Sequence, residues 1–400
     1  MIIDFFHAIQ QNVGIFELLN TTGMYFNDIV GQEDIKKKLI NNVKNNRVSH
    51  AQLFLGPEGS GKLALAIAFA RYLACLNPRE DDACGQCPSC LKYNKLTHPD
   101  LNFFYPIPSK KKGDTPLISK DFAVQWRSFL EKSPYVSLND WYKSIEIENK
   151  QGIINAKDCN EIVKVLSYKP YESEFKVVVI WMIERLYHSA APKLLKILEE
   201  PPEKTLFLLV SENQDLILNT IRSRAQLVKI PRLTDQQVRN GLITHYNCNE
   251  AQADQIAFLA DGNFYHALEM LENQEGLENN TNLLREWLRV CYKFDVKEIM
   301  SYVENLSKMG RERQKNLLSY ALEVFRQCIL LNYHASGLVK IHPESEDFIK
   351  KFSAILNPDV ARSMTEEFSK AIYHIERNAN PKILFTDLSM KSGRIMKAKR

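Results

Sequence analysis

A parallel α/β sheet with helices on both faces, followed by a wholly helical second half, is the architecture this sequence predicts. Three observations predict it. Short apolar runs suited to buried strands alternate with helical spacing as far as Pro231. The first of these runs, Leu53-Phe54-Leu55, leads into Gly56-Pro57-Glu58-Gly59-Ser60-Gly61-Lys62, the G-x-x-x-x-G-K spacing of a phosphate-binding loop between strand and helix. After Pro231 every periodic stretch has helical spacing.

The chain has 400 residues, a prior for two or three domains, and its 45% hydrophobic content is ample for real cores. With 52 basic against 48 acidic residues, the formal charge of +4 is too balanced to announce a nucleic-acid binder on electrostatics alone. The longest apolar run, Leu63 to Ala70, is far short of the roughly 20 residues that span a bilayer. The N-terminus lacks a basic flank and a small-residue cleavage site, so it is a poor signal peptide. A soluble, cytoplasmic protein is the expectation, with no membrane partner. Residues 1–23 fit nothing downstream; they read either as an extension from an upstream start codon or as a functional arm, and the folded unit is expected to begin at Met24.

Taken in order, Glu33 to Asn45 has helical spacing through Ile35, Leu39 and Val43. In the phosphate loop, Gly56, Gly59 and Gly61 would let backbone N–H groups turn toward phosphate oxygens, and Lys62 would reach the β and γ phosphates. The next position usually carries a Ser or Thr whose hydroxyl holds Mg²⁺; here it is Leu63. The helix that follows runs into Cys75, Cys84, Cys87 and Cys90, four of the eight cysteines. Two overlapping C-x-x-C steps plus Cys75 suit a closed tetrahedral Zn²⁺ site of structural type, in a chain where disulfides are not expected. His98 could compete as a ligand, although a local hydrogen-bonding role fits it better.

Phe103-Phe104-Tyr105-Pro106 reads as a strand ended by its proline. Residues 107–150 lack clean periodicity and carry Lys110-Lys111-Lys112 and aromatic clusters around Trp126 and Trp141, so they are expected to form a surface insertion. Ile153 to Leu166 resumes helical spacing, and Val177-Val178-Val179-Ile180 suits a strand covered on both faces. Such a strand should end in an Asp-Glu pair for Mg²⁺ and the attacking water, but Trp181 and Met182 stand there. Glu184 lies beyond the expected strand tip and is not expected to replace them. A helix ending at Pro201-Pro202, a strand at Leu206 to Val210, and Ile221-Arg222-Ser223-Arg224 complete the α/β part. A small helical unit follows from about Thr234 to Asn273, then helices alone, the clearest with Leu317, Ala321, Leu322, Phe325, Cys328 and Ile329 on one face.

Phe26-x-Asp28-Ile29-Val30-Gly31-Gln32, the phosphate loop, the four-cysteine knuckle, His98-Pro99-Asp100, Leu194-Leu195-Lys196-x-Leu198-Glu199-Glu200-Pro201-Pro202 and Ser223-Arg224 fall in the order seen in bacterial sliding-clamp loaders. The chain resembles the AAA+ clamp-loader subunits of DNA polymerase III from Met24 to about Leu388. The resemblance implies a RecA-like AAA+ module over 24–231 with a zinc knuckle at 75–90, a helical lid over 232–275 and a helical collar over 276–400. It places Tyr265 where the lid's phosphate-sensing arginine usually falls. It also implies that Ser223-Arg224 matches the family's Ser-Arg-Cys motif, with Arg224 as an arginine finger acting in trans on a neighbour's ATP. Leu63, Trp181-Met182 and Tyr265 depart from the gamma and tau motor type and match the degenerate delta-prime type. The implied partners are gamma/tau and delta subunits, the sliding clamp and primer-template DNA, with Mg²⁺ and ATP poorly held by this chain's own loop. Two other readings are an active gamma/tau-type ATPase and a stand-alone zinc-containing nucleic-acid binder.

Overall fold

The structure is a computed structural model that describes residues 24–108, 117–147, 152–272, 274–333, 335, 339, 341, 343–354, 356–377 and 379–397. The N-terminal extension 1–23 and the Lys110-Lys111-Lys112 triplet lie outside the described residues. The chain divides into two compact units at Leu268/Glu269. Among the described residues, no helix is long and apolar enough to cross a membrane.

In the first unit the strands are β1 (Ala51–Leu55), β2 (Leu101–Phe104), β3 (Ile107–Pro108), β4 (Gly152–Ile153), β5 (Lys176–Trp181), β6 (Thr205–Ser211) and β7 (Gln226–Lys229). Five of them form one parallel sheet in the order β2-β5-β6-β1-β7, and β3 pairs with β4 in a separate antiparallel ribbon. The helices are α1 (Glu33–Lys44), α2 (Lys62–Ala74), α3 (Pro88–Asn94), α4 (Ala123–Lys132), α5 (Leu138–Ser144), α6 (Ala156–Leu166), α7 (Ala191–Glu199), α8 (Asn219–Arg222), α9 (Asp235–Tyr246), α10 (Glu250–Ala260) and α11 (Phe264–Glu272), the last crossing the division between units. β5 and β6 are buried along their whole length, as their unbroken β-branched and leucine runs require. Val177, Val179, Leu206 and Leu208 face the layer that contains α2, while Val178, Ile180, Phe207 and Leu209 face α6 and α7. The Asn155 side chain accepts from the N–H groups of Lys157 and Asp158 to start α6. The ammonium of Lys176 donates to the carbonyls of Val165, Tyr168 and Lys169 at its far end, where a cation is favoured.

The expected surface insertion is corrected by the structure. Residues 117–147 fold as α4, α5 and their connections, and Trp126 and Trp141 are fully buried in the main core. Trp126 stacks on Tyr105 with ring centroids 4.1 Å apart and lies 5.1 Å from Trp141 and 5.2 Å from Trp181. The indole N–H of Trp141 donates to the Pro106 carbonyl (2.7 Å), and the Tyr135 hydroxyl accepts from the Val30 amide (2.7 Å). The segment therefore covers one face of the sheet. Its cue was the apolar spacing Trp126, Phe129, Leu130, too short a helix to stand out by periodicity. Residues 152–153 likewise extend as β4 instead of joining the helix predicted from Ile153.

The second unit is helical: α12 (Gln274–Lys293), α13 (Val296–Lys308), α14 (Arg311–Asn332), α15 (Pro343–Ser353), α16 (Pro358–Glu376) and α17 (Pro381–Lys397). Leu317, Ala321, Phe325 and Cys328 on α14 are buried, as their spacing predicts, against Phe352, Met364 and Phe368. The buried Trp287 indole finds a partner in the Ser389 hydroxyl (2.9 Å).

If residues 117–147 belong to the core, Trp126→Ala should lower the free energy of unfolding by about 3–5 kcal/mol. A surface loop would register less than about 0.5 kcal/mol. Urea unfolding followed by circular dichroism separates the two outcomes.

Candidate nucleotide site, arginine and cysteine knuckle

The phosphate loop joins the C-terminal tip of β1 to the first residue of α2, the position where parallel sheets gather ligands. Gly59 and Gly61 take left-handed backbone (φ 71° and 80°), and a Cβ on Gly59 would stand 1.9 Å from the Asn263 carboxamide oxygen. The amide of Phe264 donates to the Gly59 carbonyl (3.2 Å), so the start of α11 lies on the loop. Gln32 donates to the carbonyls of Ser60 (3.3 Å) and Pro231 (2.8 Å), tying the Val30-Gly31-Gln32 motif to the loop and to the end of the sheet.

Lys62 has a side chain only 6% exposed and pairs with a carboxylate oxygen of Glu212 at 2.8 Å, while also donating to the Pro57 carbonyl (3.1 Å). Glu212 directly follows β6, whose last residue Ser211 lies in register with Leu55 at the end of β1. Sequence spacing alone could not single out Glu212, because the strand order that brings it beside the loop is a tertiary fact. Leu63 is 3% exposed and belongs to the core. Trp181 and Met182, at the tip of β5, are also core residues, and Trp181 joins the aromatic cluster of Trp126 and Phe129. None of the three offers an oxygen to a cation.

Glu184 proves nearer the site than its place beyond β5 suggests. It accepts a hydrogen bond from the Glu212 amide (2.9 Å). Burial pushes its carboxyl pKa up, more than hydrogen bonds to the Glu212 amide and its own amide pull it down. Tyr265 donates its hydroxyl to the Asp140 carboxylate (2.5 Å), so it is engaged with α5.

Ser223 and Arg224 follow α8. Arg224 forms an ion pair with Glu199 at the end of α7 and donates to the Thr220 carbonyl (2.8 Å); the arginine side chain is 33% exposed and that of Glu199 48%. The Ser223 hydroxyl donates to the Thr220 carbonyl (3.1 Å).

The sulfurs of Cys75, Cys84, Cys87 and Cys90 all lie within 4.8 Å of one another, so the four could hold one metal ion. A tetrahedral ion with sulfurs at about 2.3 Å asks for this kind of spacing. The Cys84 amide donates to the Cys75 sulfur (3.2 Å), the Cys87 amide to Cys84 (3.4 Å) and the Cys90 amide to Cys87 (3.4 Å). Burial would push the Cys84 thiol up, but amide donors, Gln86 first, outweigh it and bring it down to about 6. Burial pushes the Cys75 and Cys90 thiols up, so of these three Cys84 alone is drawn toward the thiolate by its amide donors.

His98 is not in the cluster. Its Nδ1 accepts from the Asp100 amide (3.2 Å). Asp100 in turn accepts from the amides of Tyr171, Glu172 and Ser173 at 2.7, 2.8 and 3.0 Å. The His98-Pro99-Asp100 motif thus latches the loop before β5. Burial alone would raise the Asp100 pKa, but those amides outweigh it and hold the carboxyl below its ordinary value. A depressed folded-state pKa gives stability that is present above the unfolded value of about 4 and is lost as pH falls through the folded one. Asp100→Asn should therefore cost about 1.5–3 kcal/mol at neutral pH. The gap from the unmutated chain should close as pH drops below about 4, measured by denaturant unfolding across pH.

The family model described as "DNA polymerase III, delta subunit" matches residues 31–234, just over half of the chain. The chain is 29% identical over 252 residues to DNA polymerase III subunit tau of Bacillus subtilis (strain 168), covering 62% of this chain and 37% of tau. It is 26% identical over 314 residues to subunit gamma of Buchnera aphidicola subsp. Acyrthosiphon pisum (strain APS), covering 74% of this chain and 75% of that one. It is 26% identical over 255 residues to subunit delta' of Bacillus subtilis (strain 168), covering 64% and 63%. The aligned stretch thus spans little over a third of tau, and the identities do not separate the three subunit types. The matched span takes in the sheet, the phosphate loop, the knuckle and Arg224, and on that ground the chain belongs to the DNA polymerase III delta-subunit-like family of AAA+ clamp-loader proteins.

Proposed function

We propose that this chain is a delta-prime-type subunit of the DNA polymerase III clamp loader, a largely non-hydrolysing stator that presents Arg224 to the ATP of a neighbouring subunit. The state of its own phosphate loop carries the proposal: Lys62 is held by Glu212, and the positions that should bind Mg²⁺ and align water are buried leucine, tryptophan and methionine. Phosphoryl transfer depends on those groups for charge neutralisation and positioning. A chain without them keeps the scaffold of the motor but not its chemistry.

Arg224 suits a role in trans. Its pair with Glu199 is partly exposed, and such pairs are worth about 0–1 kcal/mol, little to give up for a phosphate. The partners are gamma/tau and delta subunits, with the sliding clamp and primer-template DNA reached through the assembly in the cytoplasm. In this reading residues 232–275 act as a lid, 276–400 as the collar that joins the ring, and the four cysteines hold a structural Zn²⁺.

A second reading is favoured by one observation, the carboxylates of Glu184 and Glu212 near Lys62. In it the chain is an active ATPase with displaced acids. ATP turnover distinguishes the two. The stator reading expects no turnover by the isolated chain. With Arg224→Ala in a reconstituted complex that still assembles on clamp and primed DNA, hydrolysis at the site it serves should fall by roughly 10³–10⁵-fold. Turnover by the isolated chain that is lost in Lys62→Ala would establish the active-ATPase reading; a complex indifferent to Arg224→Ala would remove the finger role.

A further inference from the structure

Arg71 lies in the last turn of α2, four residues before Cys75 and only 1% exposed. None of its three guanidinium nitrogens has a hydrogen-bond partner. The guanidinium lies 4.0 Å from the ring centroid of Tyr25. Asp28, Asp82 and Cys90 are within its electrostatic reach. Both carboxylates are already engaged: Asp28 accepts from the Tyr25 amide (3.1 Å), and Asp82 from the amides of Asn27 (2.9 Å) and Ala83 (2.7 Å). In α3, the short helix that carries the fully buried Cys90, the hydroxyls of Ser89 and Tyr93 are also buried without a partner.

A buried guanidinium without a hydrogen-bond partner is costly; Asp28 and Asp82 offset its charge without touching it, and neutral thiols add nothing to that. Four thiolates around a divalent ion carry a net double negative charge, which does add to it. We propose that Arg71 is the counter-charge of the metal-loaded knuckle, a positioning residue that makes metal loading and the burial of α2 mutually dependent. The proposal rests on the reading of the four cysteines as a Zn²⁺ site. It gives the knuckle a mechanical role: α2 begins at the phosphate loop and ends at Arg71 and Cys75, and Tyr25 covers the guanidinium at the start of the folded unit.

The test uses the full chain. Zinc content is measured first, then Zn²⁺ affinity by competition with a chromophoric chelator and the absorption of the Co²⁺-substituted chain. Arg71→Met, which removes the charge but keeps the bulk, should weaken Zn²⁺ binding 10–100-fold, whereas Arg71→Lys should stay closer to the unmutated chain. The thermal midpoint supplies the sign: Arg71→Met should lower it in the zinc-loaded chain and leave it unchanged or raised after chelation. A packing role alone would lower both. Should Arg71→Met not fold, Arg71→Gln makes the same comparison. Unchanged affinity in a neutral variant, or equal destabilisation of both forms, overturns the role of Arg71 and leaves the zinc reading standing. An unmutated chain with no zinc and no cobalt–thiolate bands overturns the zinc reading itself.

Discussion

The first unit depends on the complete burial of one helix. Every residue of α2 except Leu73 is buried, including Lys62 at its start and Arg71 near its end. A helix apolar on all sides is stable only when surrounded, so the sheet, α1 and the aromatic layer of residues 117–147 must close around it. Burial on this scale sets the axis of the helix. That axis places the phosphate loop at one end and the cysteine knuckle at the other. Because both ends carry cations, each end must also be supplied with an anion.

At the phosphate loop the anion is a carboxylate of this chain, Glu212. In a hydrolysing site the lysine faces phosphate, and acids at the tip of the second buried strand face the metal. Here the tip of β5 has been given to the core: Trp181 packs with Trp126 and Phe129, which gains apolar burial at the expense of any cation ligand. Lys62 would then be a buried charge without a partner, and Glu212, brought alongside by β6, provides one. Apolar side chains at Leu63, Trp181 and Met182 and the Lys62–Glu212 pair thus occur together at this loop.

The opposite holds for Arg224. It lies on the surface at the end of a short helix, and its partner Glu199 is nearly half exposed. Solvent screens the pair and side-chain entropy opposes it, so the arginine can exchange partners at small cost. Lys62 is buried and its partner half-buried, whereas Arg224 is only half-buried and its partner is open to solvent. That contrast supports the proposed function, in which this chain's own loop is passive and Arg224 acts on a neighbour.

Some of this was legible in the residues alone. The phosphate loop needs a fixed run of glycines and a lysine, the knuckle a fixed run of cysteines, and buried parallel strands an unbroken apolar run; each is a local requirement that leaves a local pattern. The missing hydroxyl at Leu63 and the missing acids at Trp181 and Met182 could be read for the same reason. Tertiary structure decided the rest. Strand order β2-β5-β6-β1-β7 brought Glu212 to Lys62 across 150 residues, and packing turned an irregular stretch into the layer built on Trp126 and Trp141. It also left Arg71 buried in the turn of α2 that leads to the first cysteine. Periodicity reports how a segment meets its immediate neighbours along the chain, whereas which charge meets which across the core is set only when distant segments are brought together.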